Sequence, residues 1–510
     1  MADSTTAEGS ARTGTLSDPV LVGAARRLRA VSWTLEAGIA LVVSGSVVAI
    51  GSVHPWAYVP LWGGSGALTL LLVARAYAVL ALRRLLGARL FSFHPSDRWL
   101  VLDAQPSYGL TGWTFDLARP IAARPVLLAP GLAFLAWVAL QLLPLPPSWK
   151  AGSASPVDTI RGLAFLASAF ALHLAAAAAL EQREARERFR RVVAVLGFAI
   201  SLVAIVQLGA GARKIYGVFT PLEHGIVFGP FVNRNHFAGY MLMVVPTCLA
   251  LLAHAYRRYA DRVGEAGNMR RRMVALTSSE GTAFLYAGLP ASVGIAALVA
   301  TTSRGGLTAF AVSLALAGIG LRRRNRGIPA WAIALAFVAM AVSWFGLERI
   351  EARFLDVPSD APGRTVVWRD TVARMDGLWL RGAGFNTFAA AMSGATPWTL
   401  PLGAEAWPAP LEAAREAGRP AGVRVPAAMP GLTWYREAHN DYLQVLVETG
   451  LPGLAIAAWA AVATLRAARR DPWLMMAIAG VLMHSVVDFD LQIPAIGTLL
   501  AVLVATRPRA

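Results

Sequence analysis

Four short stretches hold much of the polar chemistry of an otherwise apolar chain: FVNRNHFAGY at 231–240, TTSRGGLTAF at 301–310, AHNDYLQVLVETG at 438–450 and HSVVDFDLQ at 484–492. Between the second and third, GRTVVWRDTVARM at 363–375 reads as a short amphipathic helix with Arg364 and Trp368 one turn apart on one face and Arg369 beside them. The arginine fork matches phosphate or carboxylate in bidentate fashion and is weakly screened near lipid, so Arg304 and Arg364 imply an anionic ligand. His439 precedes an expected helix start, where Asn440 or Asp441 is placed to cap. A neutral imidazole there is a proton acceptor, and the free N–H groups of the helix end help hold an anion.

The remaining polar residues sort around this pair of functions. Arg234, with Asn233, Asn235 and His236, either caps the helix that follows or adds to the anion contact. Glu448 lies seven residues beyond Asp441, about 10 Å along a helix axis, and has to face a protein interior or a wet cleft. His484 and Asp488 stand one helical turn apart, a spacing that predicts a pair in which the carboxylate orients the ring. No CxxC or HExxH spacing occurs, so neither a metal nor another cofactor is expected. GAGFNTF at 382–388 begins like a dinucleotide fingerprint, but Thr387 stands where the third glycine is needed and no strand pattern precedes it; it reads as a tight turn.

The elements that must position these residues are membrane spans. The chain has 510 residues, of which 56% are hydrophobic and 15% charged, with a mean hydropathy of +0.52. Such a composition is foreign to ordinary soluble domains. Apolar runs of about 17 to 25 residues begin near Ser32, Val59, Val126, Arg161, Val192, His236, Ala283, Leu307, Ala330, Tyr442, Trp473 and Leu491. The expectation is an all-α polytopic membrane protein of about twelve spans. Its sections are a cytoplasmic, disordered tail at 1–31, spans one to nine at 32–347, a large outer loop with amphipathic helices at 348–440, and spans ten to twelve at 441–510.

The net charge of +17 raises nucleic acid as a partner, but the arginines collect in alternate short loops, such as Arg83 with Arg84, Arg190 with Arg191, Arg270 to Arg272 and Arg322 to Arg324. That is the positive-inside pattern; it excludes nucleic acid as the reason for the charge and puts both termini in the cytoplasm. In this register all four polar stretches open at the outer face, as a shared extracytoplasmic site requires. The single Cys248 excludes a disulfide framework.

TTSRGG, GRTVVWRD, GAGFNTF, AHNDYLQVLVETGLPG and FVNRNHFAGYM together resemble the O-antigen ligase and O-antigen polymerase superfamily of bacterial inner-membrane proteins, densely from about Gly229 to Pro494. The resemblance implies a GT-C-like, metal-independent membrane glycosyltransferase with one large periplasmic loop between spans nine and ten. It implies a donor glycan on undecaprenyl diphosphate and an acceptor that is lipid A core or another lipid-linked glycan. Carried onto this chain, Arg304 and Arg364 hold the donor diphosphate and His439 activates the acceptor hydroxyl, with Asn440, Asp441, Arg234, Arg369, Glu448, His484 and Asp488 in support. The competing class is a transporter or flippase of lipid-linked saccharides. That class calls for charged or broken segments at mid-span and for corresponding halves, and the sequence displays neither.

Overall fold

The structure, a computed structural model, describes residues 12–14, 19–89, 99–102, 113–116, 125–143, 152–221, 227–264, 268–322, 357–393 and 435–506. Eight of the described helices are long and apolar enough to cross a membrane. They are α1 (Pro19–Val48), α2 (Pro55–Arg89), α4 (Pro156–Ala179), α5 (Arg183–Gly209), α6 (Arg234–Val263), α8 (Ser279–Ala300), α9 (Arg304–Arg322) and α12 (Asp441–Ala468). Three apolar helices are shorter: α3 (Leu128–Leu140), α13 (Pro472–His484) and α14 (Pro494–Ala505). The small helices α7 (Met269–Leu276), α10 (Val357–Val372) and α11 (Phe388–Ser393) complete the set.

A helix therefore stands at each expected span except the ninth, near Ala330, which lies outside the described residues, as does most of the expected outer loop. Three of the expected spans are shorter than the apolar runs suggested. Prolines start α13 and α14, and between them the polar turn from Ser485 to Ile493 consumes residues that composition alone assigned to hydrocarbon. The first helix departs in the other direction. It begins at Pro19 rather than Ser32, because Pro fits a first helical turn and Leu21, Val22, Ala25 and Leu28 continue a buried stripe into Leu35 and Ile39. Three short strands depart from the all-helical expectation. β1 (Arg12–Gly14) runs parallel to β2 (Trp99–Leu102), and β2 is antiparallel to β3 (Trp113–Asp116); the aromatic and aliphatic content of WLVL and WTFD suits strands.

The helix that organises the bundle is α6. Of its most apolar 18-residue window, 89% is buried inside the protein, against 28% for α1, and it packs on α5, α8, α9 and α13. Its Phe237, Tyr240, Met241 and Met243 sit at the centre of the main apolar cluster, with Cys248 buried further along. Outer helices keep apolar side chains such as Leu41, Val59, Leu70 and Val195 exposed, as lipid-facing surfaces require.

One candidate span, α12, is broken beside the buried Glu448, which corrects the expectation that no span holds a broken or charged segment. Gly450 in α12 has φ 67° and ψ −173°, a left-handed conformation that suits glycine. The break leaves carbonyls that cannot bond within the helix, and the segment after α10 takes them up. Ala383 N–H donates to Val447 O at 2.8 Å and Gly384 N–H to Glu448 O at 2.9 Å. Trp137 Nε1 donates to Thr449 O and Gln141 Nε2 to Glu448 O, each at 2.8 Å. GAGFNTF is thus a turn docked on α12, with Gly382 and Gly384 at positive φ.

Candidate active site around Asp488

Each polar stretch delivers its side chains through a local device. At the start of α6 the Asn233 side chain accepts from Asn235 N–H at 2.9 Å, so Asn233 is the cap and the next three residues form the first turn. Arg234 Nη1 donates to Thr302 Oγ1 at 3.0 Å, while His236 turns inward and is 7% exposed. At the start of α9, Ser303 Oγ accepts from Gly306 N–H at 3.3 Å, and Arg304 is the first helical residue. The glycines after it allow close approach by the neighbouring turn. A Cβ on Gly305 would lie 2.7 Å from Val487 Cγ2 and 3.0 Å from His484 Cδ2.

His439 is held in a left-handed conformation, φ 50°, which is uncommon for a residue with a side chain. Its neighbours fix it there. Trp368 Nε1 of α10 donates to Ala438 O at 2.9 Å, and Asn440 caps α12 by accepting from Leu443 N–H at 3.0 Å. Asp441 is buried and ties the mouth of α12 to the α13–α14 turn: its N–H donates to Ser485 O at 2.9 Å and its Oδ2 accepts from Leu491 N–H at 3.0 Å.

These devices converge on Asp488, fully buried in that turn. Arg364 Nη2 donates to its Oδ2 at 3.2 Å. Its Oδ1 accepts from Phe489 N–H at 3.0 Å and faces His236 Nε2 at 3.6 Å and His439 Nδ1 at 3.7 Å. Burial pushes the Asp488 carboxyl up, but the facing His236 and His439 outweigh it and hold the group well below the usual carboxylate range. Beside this carboxylate opens a cavity of about 440 Å³ lined by Arg234, Thr302, Arg304, Arg364, Trp368 and Asp488, among others. Arg304 and Arg364 thus share one cavity; His439 is not among its lining residues and faces the Asp488 carboxylate from 3.7 Å. Although histidines and aspartates crowd here, no three of the described His, Cys, Asp or Glu side chains form a group that could hold a metal ion.

The expected pair of His484 with Asp488 is replaced. His484 Nδ1 pairs with Asp490 Oδ2 at 2.5 Å, both side chains buried. Helix α13 ends at His484 and the chain turns, so the i, i+4 relation survives in the backbone, Asp488 N–H to His484 O at 3.0 Å, while the side chains separate. His484 still lines the cavity together with Asp488, whereas two supporting residues lie off the site. Arg369 is exposed and pairs with its neighbour Asp370. Glu448 is buried as expected, but it accepts from Asn386 N–H at 2.9 Å and Phe388 N–H at 3.1 Å and so anchors the docked turn. His236 and Asp490 were missed as partners of the carboxylate and the ring. The signal for His236 was present in NRNH, where capping needs Asn233 and leaves the histidine unexplained.

Residues 289–458 match the family model described as O-antigen ligase. The matched segment is about a third of the chain, and over it the protein is similar to O-antigen ligases. The match takes in Arg304, Arg364 and His439 and leaves out Arg234, His236, His484, Asp488 and Asp490. A comparison with curated proteins finds no match.

Proposed function

We propose that this protein transfers a glycan from undecaprenyl diphosphate to a saccharide acceptor, lipid A core or a second lipid-linked glycan, on the periplasmic side of a bacterial inner membrane. The observation that carries the reading is the convergence of two arginines from α9 and α10 on one cavity whose carboxylate also faces His439. With Nδ1–H toward Asp488, the other ring nitrogen of His439 is free to take the acceptor hydroxyl proton. The acceptor oxygen then bonds to the anomeric carbon of the donor. The bond from that carbon to the phosphate oxygen breaks, and its electron pair stays on the diphosphate. Arg304 and Arg364 neutralise the charge that develops there, where fixed cations act best in a water-poor site, and the proton removal falls to a group suited to neutral pH.

The test is a reconstituted assay with purified undecaprenyl-diphosphate-linked oligosaccharide, supplied in turn with lipid A core and with a second lipid-linked repeat. Bond formation with release of undecaprenyl diphosphate is the expected result, and the productive acceptor separates ligase from polymerase. Scrambling of intact donor between leaflets with no new glycosidic bond would replace this reading with transport.

A further inference from the structure

We propose that His236 is a positioning residue of this site: it shares Asp488 Oδ1 with His439 and keeps that carboxylate aimed at the base. The inference rests on the glycosyltransferase reading above and goes beyond the segment matched to the family, since His236 lies upstream of residue 289.

Three observations meet on this residue. First, His236 is buried in the first turn of α6, yet its Nε2 makes no hydrogen bond, and neither does the buried Nδ1 of His439. An unpartnered buried nitrogen is costly, and an apolar side chain would serve packing better beside Phe237 and Phe489. Second, both nitrogens face the same atom, Asp488 Oδ1, at nearly equal separations of 3.6 and 3.7 Å. Third, Phe489 spaces the two rings. Its centroid lies 4.5 Å from that of His236 and 4.9 Å from that of His439, both edge-on at 77° and 74°.

This geometry makes Asp488 a shared acceptor. The separations exceed hydrogen-bond length, so a shift of a few tenths of an ångström toward either ring makes one bond and lengthens the other. Arg364 holds the second oxygen throughout. While His439 is neutral, an N–H of His236 supports the negative charge on Oδ1. When His439 takes the acceptor proton, the carboxylate moves to the new imidazolium and His236 yields. Other charged groups border the pair: His484 bonds Asp490, Asp441 accepts from the Leu491 N–H, and Glu437, which accepts from Gln444 Nε2 at 2.6 Å, also interacts with both histidines. His236 therefore acts on the reaction through Asp488, without touching substrate.

The experiment compares His236→Leu with His236→Gln in the full-length protein in nanodiscs, using undecaprenyl-diphosphate-linked oligosaccharide as donor. Glutamine places an N–H donor where Nε2 stands; leucine fills the space and donates nothing. The leucine variant is expected to lose about 10- to 100-fold in kcat, the usual scale for a partner that orients a functional histidine, with the donor KM little changed. The glutamine variant recovers most of the loss. In an Asp488→Asn background, His236→Leu costs little more, because the carboxylate through which it acts is gone. Equal damage by Leu and Gln, or a full multiplicative loss in the Asn background, overturns the proposal and leaves a packing role. The ¹⁵N spectrum of histidine-labelled protein decides independently of turnover. The His439 Nδ1 resonance, assigned with His439→Gln, should change in the leucine variant and keep its wild-type position in the glutamine variant; no change in either overturns the proposal. A wild-type protein that transfers nothing while this resonance responds refutes the glycosyltransferase reading and leaves His236 in place as a partner of Asp488.

Discussion

Helix α12 carries two polar clusters, one at its mouth and one about two turns further in, and they treat their polar atoms differently. Around Glu448 and Gly450 the accounts close: both Glu448 oxygens accept backbone N–H groups, Gln444 Nε2 adds a third contact at 3.3 Å, and the carbonyls freed by the break are bonded to the docked turn, Trp137 and Gln141. Around Asp488 they do not close. His236 Nε2, His439 Nδ1 and Asp490 Oδ1 are buried without hydrogen bonds, and a cavity opens beside them. Buried polar groups in folded proteins are ordinarily satisfied, and exceptions call for a reason. The difference teaches which cluster holds the fold and which awaits a ligand.

The largest effect expected from this contrast is at His439. His439→Ala should lower the transfer rate about 10²- to 10⁴-fold, the range for removal of a general base, while thermal unfolding in nanodiscs stays near wild type, because the ring is partly exposed and its cap belongs to Asn440. A variant that unfolds early but transfers normally once folded would put His439 on the structural side of the comparison.

The arginines come next. Arg304→Lys and Arg364→Lys each keep the charge and lose the fork, which should cost about 10- to 100-fold in kcat/KM, on the scale of one charge-assisted hydrogen bond. The two are expected to differ in kind. Arg304 lines the cavity, so its loss is expected to fall on donor KM, whereas Arg364 also holds Asp488 Oδ2 and its loss reaches kcat. Steady-state kinetics with varied donor concentration separates them, and identical behaviour would mean that the carboxylate contact is idle.

At the closed cluster the expectation reverses. Glu448→Gln replaces an acceptor of two backbone N–H groups with an amide that fits only one side, and should lower unfolding stability by about 1–3 kcal/mol with kcat of the folded fraction unchanged. Gly450→Ala is the harsher change there, since a Cβ would lie 2.6 Å from the Leu380 carbonyl carbon on a backbone conformation that penalises it. A fall in kcat at full stability for Glu448→Gln would erase the distinction between the clusters.

What sequence reasoning could and could not reach follows the same divide. Apolar runs show where helices lie, because burying side chains in lipid needs only composition and length, and ten of the helix sites were legible for that reason, from the run near Val59 onward. The start of α1 is not, since Arg26, Arg27 and Arg29 look like a tail until Leu21, Ala25 and Leu28 on the same helix are seen to be buried. Arg304 and His439 are legible because polar groups at the mouth of an apolar helix demand an explanation, and Arg364 because it shares a face with Trp368 on an amphipathic stretch. The exchange of Asp488 for Asp490 as the partner of His484 was illegible, because a spacing of four predicts a pair only while the helix continues. His236 is harder to read, because Asn233 accounts for the cap and no spacing in the sequence ties the histidine to Asp488.

The smallest effect is at Arg369, which sequence spacing groups with Arg364 on one amphipathic helix. Five residues separate them, so at 100° per residue they point to different sides of α10. Arg364 reaches Asp488 with a side chain 33% exposed, while that of Arg369 is 75% exposed and pairs with the adjacent Asp370. Asp370 is in turn held by the Tyr435 hydroxyl at 2.7 Å, a contact that fastens α10 to the segment leading into His439 and does not need the arginine. Exposed pairs of this kind contribute about 0–1 kcal/mol. Arg369→Ala should therefore leave transfer rate and donor KM within about two-fold of wild type, whereas Asp370→Asn, by weakening the Tyr435 contact, should loosen the approach to His439 and lower kcat more than Arg369→Ala does. A loss at Arg369 comparable to that at Arg364 would mean that the donor extends over the outer face of α10, and the line between cluster and surface would have to be redrawn there.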